Sequence, residues 1–245
     1  MTVGKNLGNR TTTELAAGRS EDGADGPSTL IVPLGATEQH GPHLPFNTDT
    51  VIASAWADAV AARLGDVVVA PPLPYGSSGE HQAFAGTLSI GQDALRAVLI
   101  ELVRSAGHSF SRVVLLSGHA GNVVPVREAA DQLRREGHDV IELFPTWGSL
   151  VDDNDRPIPV DAHAGLTETS LMLHLQPQAV RLDLAVAGPT APISELLESM
   201  VAGGVSAVSS SGVLGDPDGA TGEIGARLLE DLVIRTVERL QTTVG

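Results

Sequence analysis

The sequence predicts an α/β fold whose central, mostly parallel sheet is covered by helices on both faces. Two observations lead to this prediction. Short apolar runs alternate with longer helical patterns along most of the chain, and several of the runs end in glycine or in polar loops. Parallel strands are buried on both faces, so they appear as continuous apolar runs, and a helical crossover has to join each to the next.

The individual elements follow in order. The first unit is a strand over 30–34, ending at Gly35, with an alanine-rich helix over 49–64. The pattern then repeats, with strands predicted over 67–70, 112–116 and 140–144, and helices over 92–106, 124–135, 167–175, 193–202 and 222–240. In such sheets the ligand crevice lies beyond the carboxyl ends of the strands, so chemistry is expected there.

The domain organisation is simple. Residues 1–28 are rich in Gly, Thr, Ser, Asn and Asp, which predicts a flexible or loosely packed leader. Residues 29–245 are expected to form one domain, a size at which a single core is common.

Composition excludes several classes of function. The net charge of −15 argues against a nucleic-acid partner, because phosphate-binding surfaces need clustered Lys and Arg. The chain has no cysteine, so any metal has to be held by His, Asp and Glu. No run approaches the ~18 apolar residues of a membrane span, and the N-terminus lacks a secretory pattern. We therefore expect a cytoplasmic protein with no membrane partner.

The first polar loop, over 35–49, is dense in potential metal ligands. Glu38 and His40 lie two residues apart in an extended loop, so their side chains can point the same way. Asp49, at the start of the next helix, has two oxygens and could bridge two ions. The alternative is a polar loop in which Asp49 caps the helix.

Two further segments carry the same residue types. His119 follows a strand and is flanked by Gly118 and Gly121, which permit a tight turn; taken alone, it could be an ordinary loop histidine. His163 and Glu168 lie five apart where another loop enters a helix. There the alternative is a capping arrangement in which Thr167 caps the helix and Ser170 lies in its first turn. The histidine of a Glu80-His81 pair could line the same pocket or be structural.

These motifs together resemble the creatininase family. Its Glu-Gln-His-Gly signature with spaced Leu-Pro and Thr-Asp is present over 38–49, and its later blocks are matched over 75–89, 118–122 and 163–170. The resemblance implies a three-layer α/β/α fold, a binuclear site, hydrolysis of cyclic or linear amides by a metal-activated water, and a homo-oligomer, commonly a hexamer.

The resemblance also implies a ligand set. Glu38 and His119 would bind one ion, His40 and Glu168 the other, and Asp49 would bridge them. The ions would be zinc, iron(II) or both, with manganese as an alternative.

One position departs from creatininase itself. A metal-binding Glu follows the His by two residues there, and Gly121 stands in its place here. We expect Glu168 either to bind the metal in place of that Glu or to lie behind the metal ligands and orient them. The departure argues against creatinine as the substrate.

The catalytic roles follow from the same resemblance. His163 would lie beside the bound water and substrate and pass a proton to the leaving amine, a role suited to imidazole. The alternative is a partner that orients Glu168.

Within the family, residues 163–183 and 211–217 are most similar to the branch associated with mycofactocin. That branch implies a peptidase that hydrolyses a modified precursor peptide near its C-terminus and releases the Val-Tyr-derived core. Two other functions stay open: a creatininase-like amidohydrolase acting on a small cyclic amide or a formamide, and a non-catalytic metal-binding scaffold subunit.

Overall fold

The computed structural model describes residues 5–16, 29–148, 151 and 160–242. Within them, strands pair in one fully parallel sheet of order β2-β1-β3-β4. The central pair runs from Thr29 opposite Arg112 to Leu34 opposite Ser117. The strands are β1 (Thr29–Leu34), β2 (Val67–Val69), β3 (Arg112–Ser117) and β4 (Asp139–Leu143).

The helices predicted after residue 29 all occur in the predicted order, and none of their ends is off by more than two residues. A further short helix lies in the predicted leader. None of the helices in the described part of the chain is long and apolar enough to cross a membrane. The helices are α1 (Thr12–Ala16), α2 (Thr48–Arg63), α3 (Gln92–Ala106), α4 (Val123–Arg135), α5 (Leu166–Leu175), α6 (Ile193–Gly203) and α7 (Gly222–Thr242).

Two buried clusters give the fold its three layers. Successive side chains of a strand point to opposite faces of a sheet. Leu30 and Val32 therefore pack with α3 and α4, whereas Ile31 packs with α2 and α7. On the second face the indole N–H of Trp56 donates to Thr236 Oγ1 at 2.9 Å, which joins α2 to α7. The predicted three-layer α/β/α architecture is confirmed.

A third cluster fixes the position of α5. Leu171 and Met172 of α5 pack with Ile52 of α2 and Leu228 of α7. This packing matters for the site, because α2 and α5 each carry an acidic residue in the first turn.

Part of the predicted leader contacts the sheet edge. Val69 N–H donates to the Lys5 carbonyl at 2.8 Å, and Lys5 Nζ donates to Ala61 O at 2.7 Å. Leu7 packs against the first cluster. The rest of the predicted leader, residues 1–4 and 17–28, lies outside the described residues.

Two glycines hold the start of α2 against the strand ends. A Cβ on Gly35 would lie 2.5 Å from Thr50 Cα, and one on Gly118 would lie 2.8 Å from the Asp49 carbonyl oxygen. These glycines follow β1 and β3, the two central strands, whose connections leave toward opposite edges of the sheet. Ligand crevices form at such a switch point, and the close approach places Asp49 there.

Gly35→Ala is expected to destabilise the fold, because the added methyl group would collide with the α2 backbone. Overpacking of this kind costs about 1–3 kcal/mol. Urea unfolding followed by circular dichroism measures the loss. Gly65→Ala is the matched control, since a Cβ there has no atom within 4 Å. Equal unfolding midpoints for the two variants would contradict the tight packing at Gly35.

Candidate metal centre

All the predicted site residues meet at the carboxyl ends of β1 and β3. The loop after β1, the loop after β3 and the turn before α5 converge there, so residues distant in sequence become neighbours. Most of them are buried, and the most accessible is Glu168, whose side chain is 18% exposed. The residues that converge are Glu38, His40, Asp49, His119, His163 and Glu168.

Asp49 lies between two of the histidines. Its Oδ1 is 3.2 Å from His40 Nε2, and its Oδ2 is 3.5 Å from His119 Nδ1. Oδ2 is buried and has no hydrogen-bond partner in the part of the chain that the structure describes. The alternative in which Asp49 caps α2 is therefore wrong: the carboxylate points to imidazoles and not to backbone N–H groups.

Glu38 is the most enclosed acidic group of the centre. Its Oε2 is 3.2 Å from His119 Nε2 and its Oε1 is 3.4 Å from His81 Nε2, yet neither oxygen accepts a hydrogen bond from the described residues. Burying a carboxylate without donors is costly unless a positive charge compensates it. The unpaired oxygens of Glu38 and Asp49 thus fit cation binding.

Three of the histidines have one ring nitrogen bonded to a backbone carbonyl. The donors are His40 Nδ1 to Glu38 O at 3.1 Å, His119 Nε2 to Ser77 O at 3.0 Å, and His163 Nε2 to Gln39 O at 2.8 Å. The second nitrogen of His40, Nε2, donates to Asp49 Oδ1 at 3.2 Å, so this proton has to leave before a cation can bind there. The second nitrogens of His119 and His163 face the carboxylates of Asp49, Glu38 and Glu168. Metal-binding histidines are commonly oriented by such bonds.

Glu168 enters the centre from the first turn of α5. Its Oε2 accepts the Ala164 N–H at 2.6 Å and lies 3.9 Å from His40 Nε2. Ala164 has a φ of 54°, in the left-handed region, so this turn is strained for a residue with a side chain. The alternative in which Thr167 caps α5 is not observed, since Thr167 lies inside the helix and its N–H is accepted by Asp161.

The ligand atoms form three compact groups in which all atoms lie within 4.8 Å of one another. His119 belongs to none of them, although it contacts both Glu38 and Asp49, whereas His163 belongs to two. The groups are Glu38 with His81 and His163, His40 with His163 and Glu168, and Glu38 with His40 and Asp49.

Sequence reasoning did not resolve the roles of two supporting residues. His81 is buried in the centre, and its pairing with Glu80 was the only signal for it. Asn122 ties the loops together: its side chain donates to Gly35 O at 3.1 Å and accepts the Ser77 N–H at 2.9 Å. No spacing rule predicts these two hydrogen bonds, because Asn122, Gly35 and Ser77 come from three different segments of the chain.

Burial and charge shift the pKa values of the centre in opposite directions. Burial raises the pKa of Glu38 and of Glu168 to about 7 each. Burial lowers the pKa of His40, but Asp49 and the other carboxylates outweigh it and raise the value to about 10. Burial lowers the pKa of His163 well below its usual value, so this ring is neutral. The centre therefore retains protons that a cation can displace.

A cavity of about 790 Å³ opens above the centre. Asp49, His119, His163 and Glu168 line its floor. Its walls are largely apolar: α6 supplies Ile193, Leu197, Met200 and Val201, and the segment after β4 supplies Phe144, Pro145 and Trp147. Volumes of this order are typical of ligand pockets.

The fold and the site define a class of protein. It is an α/β protein in which carboxylates and imidazoles that can hold metal ions converge at the strand ends of a parallel sheet. The family model described as Creatininase, creatinine amidohydrolase, matches residues 11–240. The chain belongs to the creatininase family.

Curated relatives and solved structures agree with this assignment. The mycofactocin precursor peptide peptidase of Mycobacterium ulcerans (strain Agy99) is 48% identical over 225 residues, which cover 87% of this chain and 86% of the relative. The creatinine amidohydrolase of Pseudomonas putida is 34% identical over 191 residues, covering 69% and 72%. The structure of a mutant creatininase described as Zn-Zn type superposes with a TM-score of 0.80 at 28% identity, covering 99% and 98%.

Metal affinity is expected to rise with pH between 6 and 8. The protons on His40, Glu38 and Glu168 in the metal-free centre have to leave before a cation binds, so acid competes with the metal. For each proton that the metal has to displace, lowering the pH by one unit weakens metal binding about tenfold. Titration calorimetry with Zn²⁺ in buffers of different ionisation enthalpy measures both affinity and released protons. Affinity independent of pH would contradict the shifted pKa values.

Proposed function

We propose that this chain is a metal-dependent peptidase of mycofactocin biosynthesis, hydrolysing a modified precursor peptide near its C-terminus. The observation that carries the proposal is the 48% identity with a mycofactocin precursor peptide peptidase over most of both chains. The converging carboxylates and imidazoles supply the chemistry such an enzyme needs. The cytoplasmic location and the homo-oligomer, hexameric or otherwise, stay predictions from the sequence.

The proposed ligands divide between two divalent cations. Glu38 and His119 would hold one, His40 and Glu168 the other, and Asp49 would bridge them. The bridging role is supported by the geometry of Asp49, whose two oxygens face two different histidines. Zinc is favoured by the mixed nitrogen and oxygen donors, and iron(II) and manganese use the same donors.

The cations, when bound, would polarise the amide carbonyl and lower the pKa of a water molecule to ~7. The side chains of the protein would supply the proton transfer. His163 lines the cavity, and its Nδ1 lies 3.8 Å from Glu38 Oε1 and 4.0 Å from Glu168 Oε2. Because its Nε2–H is held by the Gln39 carbonyl, Nδ1 is the atom that can accept a proton and deliver it to the leaving amine. Glu168 Oε2 is the carboxylate oxygen nearest this route and would assist it.

The cavity also supports a peptide substrate. Its walls are apolar over both α6 and the segment after β4, and such surfaces suit side chains like those of Val and Tyr. The Gly121 position supports the expectation that creatinine is not the substrate. A Cβ there would lie 2.4 Å from both Glu80 Oε1 and His119 Nε2, so the side chain that creatininase carries at this place has no room.

The direct test is incubation of the metal-loaded protein with modified and unmodified precursor peptide, analysed by mass spectrometry. We expect release of a C-terminal Val-Tyr-derived product from the modified peptide, its loss with chelator and its recovery on adding zinc. Intact peptide together with cleavage of a cyclic amide or formamide would favour the amidohydrolase function. Bound metal without turnover of any amide would favour the scaffold function.

His163→Ala is expected to keep the bound metal and lose turnover. Without the proton acceptor at Nδ1, kcat should fall by about 10²–10⁴-fold, the usual contribution of a general acid or base. Metal content by plasma mass spectrometry and kcat on the same samples separate the two effects. His174→Ala, which changes an exposed histidine of helix α5, is the matched control. Loss of metal in His163→Ala would make His163 a ligand, in line with its place in two compact groups.

A further inference from the structure

His81 differs from the other histidines of the centre in the partner that fixes its ring. His40, His119 and His163 each donate a ring N–H to a backbone carbonyl. The Nδ1 of His81 instead lies 2.8 Å from the side-chain nitrogen of Gln39. We propose that Gln39 locks His81 as its Nε2–H tautomer, which makes His81 a fixed hydrogen-bond donor that positions Glu38 and not a metal ligand.

The first step is the orientation of the Gln39 amide. The Gly41 N–H donates to Gln39 Oε1 at 2.8 Å, so that end of the amide has to be the oxygen. At the other end, Gln39 Nε2 is 3.2 Å from the carbonyl oxygen of Gly212, which can only accept. Two backbone groups of opposite polarity thus exclude the flipped amide.

The second step is the proton on His81. An amide nitrogen only donates, so His81 Nδ1 has to accept and carries the lone pair. A neutral imidazole has one proton, which is therefore on Nε2. Gln39 Nε2 is also 3.2 Å from His163 Nε2, but that ring nitrogen donates its hydrogen to the Gln39 carbonyl at 2.8 Å and so cannot accept from the amide. The two amide hydrogens go to Gly212 and His81.

The third step is where the Nε2–H points. His81 Nε2 lies 3.4 Å from Glu38 Oε1, so its N–H faces this carboxylate oxygen, and a rotation of either side chain is needed to align the two atoms as a hydrogen bond. The His81 and His163 rings are 4.4 Å apart between centroids, and both are buried, so the imidazole has little freedom. If Oε1 accepts the His81 N–H, Oε2 is the Glu38 oxygen left to bind a cation. Oε2 lies 3.2 Å from His119 Nε2.

This assignment rests on the proposed metal centre but makes a different statement about it. His81, Glu38 and His163 form one of the compact groups that distance alone would allow to bind an ion. The direction of the Gln39 amide removes His81 from that group, because a metal ligand needs the lone pair that Nε2 does not have.

The test is ¹⁵N NMR of the histidine rings in the full chain, metal-free and loaded with Zn²⁺. His81→Gln assigns the His81 signals. We expect His81 to keep a protonated Nε2 and an unprotonated Nδ1 in both states, while the His40 and His119 signals change with zinc. Loss of the Nε2 proton of His81 on adding zinc would overturn the proposal. If zinc alters none of these rings, the proposed metal centre fails while the tautomer is still decided by the metal-free spectrum.

Gln39→Glu provides a tautomer switch. A carboxylate at this position accepts a hydrogen bond from Nδ1–H, so the ring should convert to its Nδ1–H tautomer with a free lone pair on Nε2. Gln82→Glu, which changes an exposed residue next to His81 in sequence, is the matched control and should leave the spectrum unchanged. A His81 ring that stays in the Nε2–H form in Gln39→Glu would contradict control by Gln39.

Two substitutions of His81 separate positioning from ligation. His81→Leu removes the donor, and His81→Gln can restore an N–H near the Nε2 position. Both variants should retain the zinc content of the wild-type chain. We expect kcat to fall at least tenfold in His81→Leu and to recover most of that loss in His81→Gln, with KM changing less than twofold. Loss of a zinc ion from folded His81→Leu or His81→Gln would identify a ligand. Equal kcat in the two variants would reject the donor.

Discussion

The structure depends on burying three acidic side chains at one point where few hydrogen-bond donors are present. Among the described residues, three carboxylate oxygens of Glu38 and Asp49 have no donor, and Glu168 accepts from the backbone N–H of Ala164. Such a centre is costly for the folded chain on its own, because unpaired buried charge is strongly unfavourable. Bound cations would make it favourable, so metal binding and correct packing of the strand ends would form one energetic unit.

The surrounding fold serves to aim these groups. Glycines at the ends of β1 and β3 admit the first turn of α2, which brings Asp49 between two imidazoles. Backbone carbonyls then orient His40, His119 and His163, and the left-handed turn at Ala164 orients Glu168. Rigid elements therefore supply the positions, and hydrogen bonds to the backbone supply the directions.

Sequence patterns predicted the fold and much of the site because both have local signatures. The apolar runs and helical periods gave every main strand and helix, and polar residues just after the strands predicted where Glu38, His40 and His119 converge. The structure also brings the other predicted ligands to that point, although their roles as ligands stay a proposal. The orientation of His81 by Gln39 depends on the backbone of Gly212, far away in the sequence. Residue spacing contains no information about such a long-range contact, so only the three-dimensional structure reveals how His81 is oriented.

The most direct measurement of the central claim is the metal content of Asp49→Asn beside that of the wild-type chain. Asparagine keeps the shape of Asp49 but removes the negative charge and one of the two oxygens that face His40 and His119. If this carboxylate joins two cations, plasma mass spectrometry should find two ions per wild-type chain and none held tightly by the folded variant. Two tightly bound ions in Asp49→Asn would contradict the account.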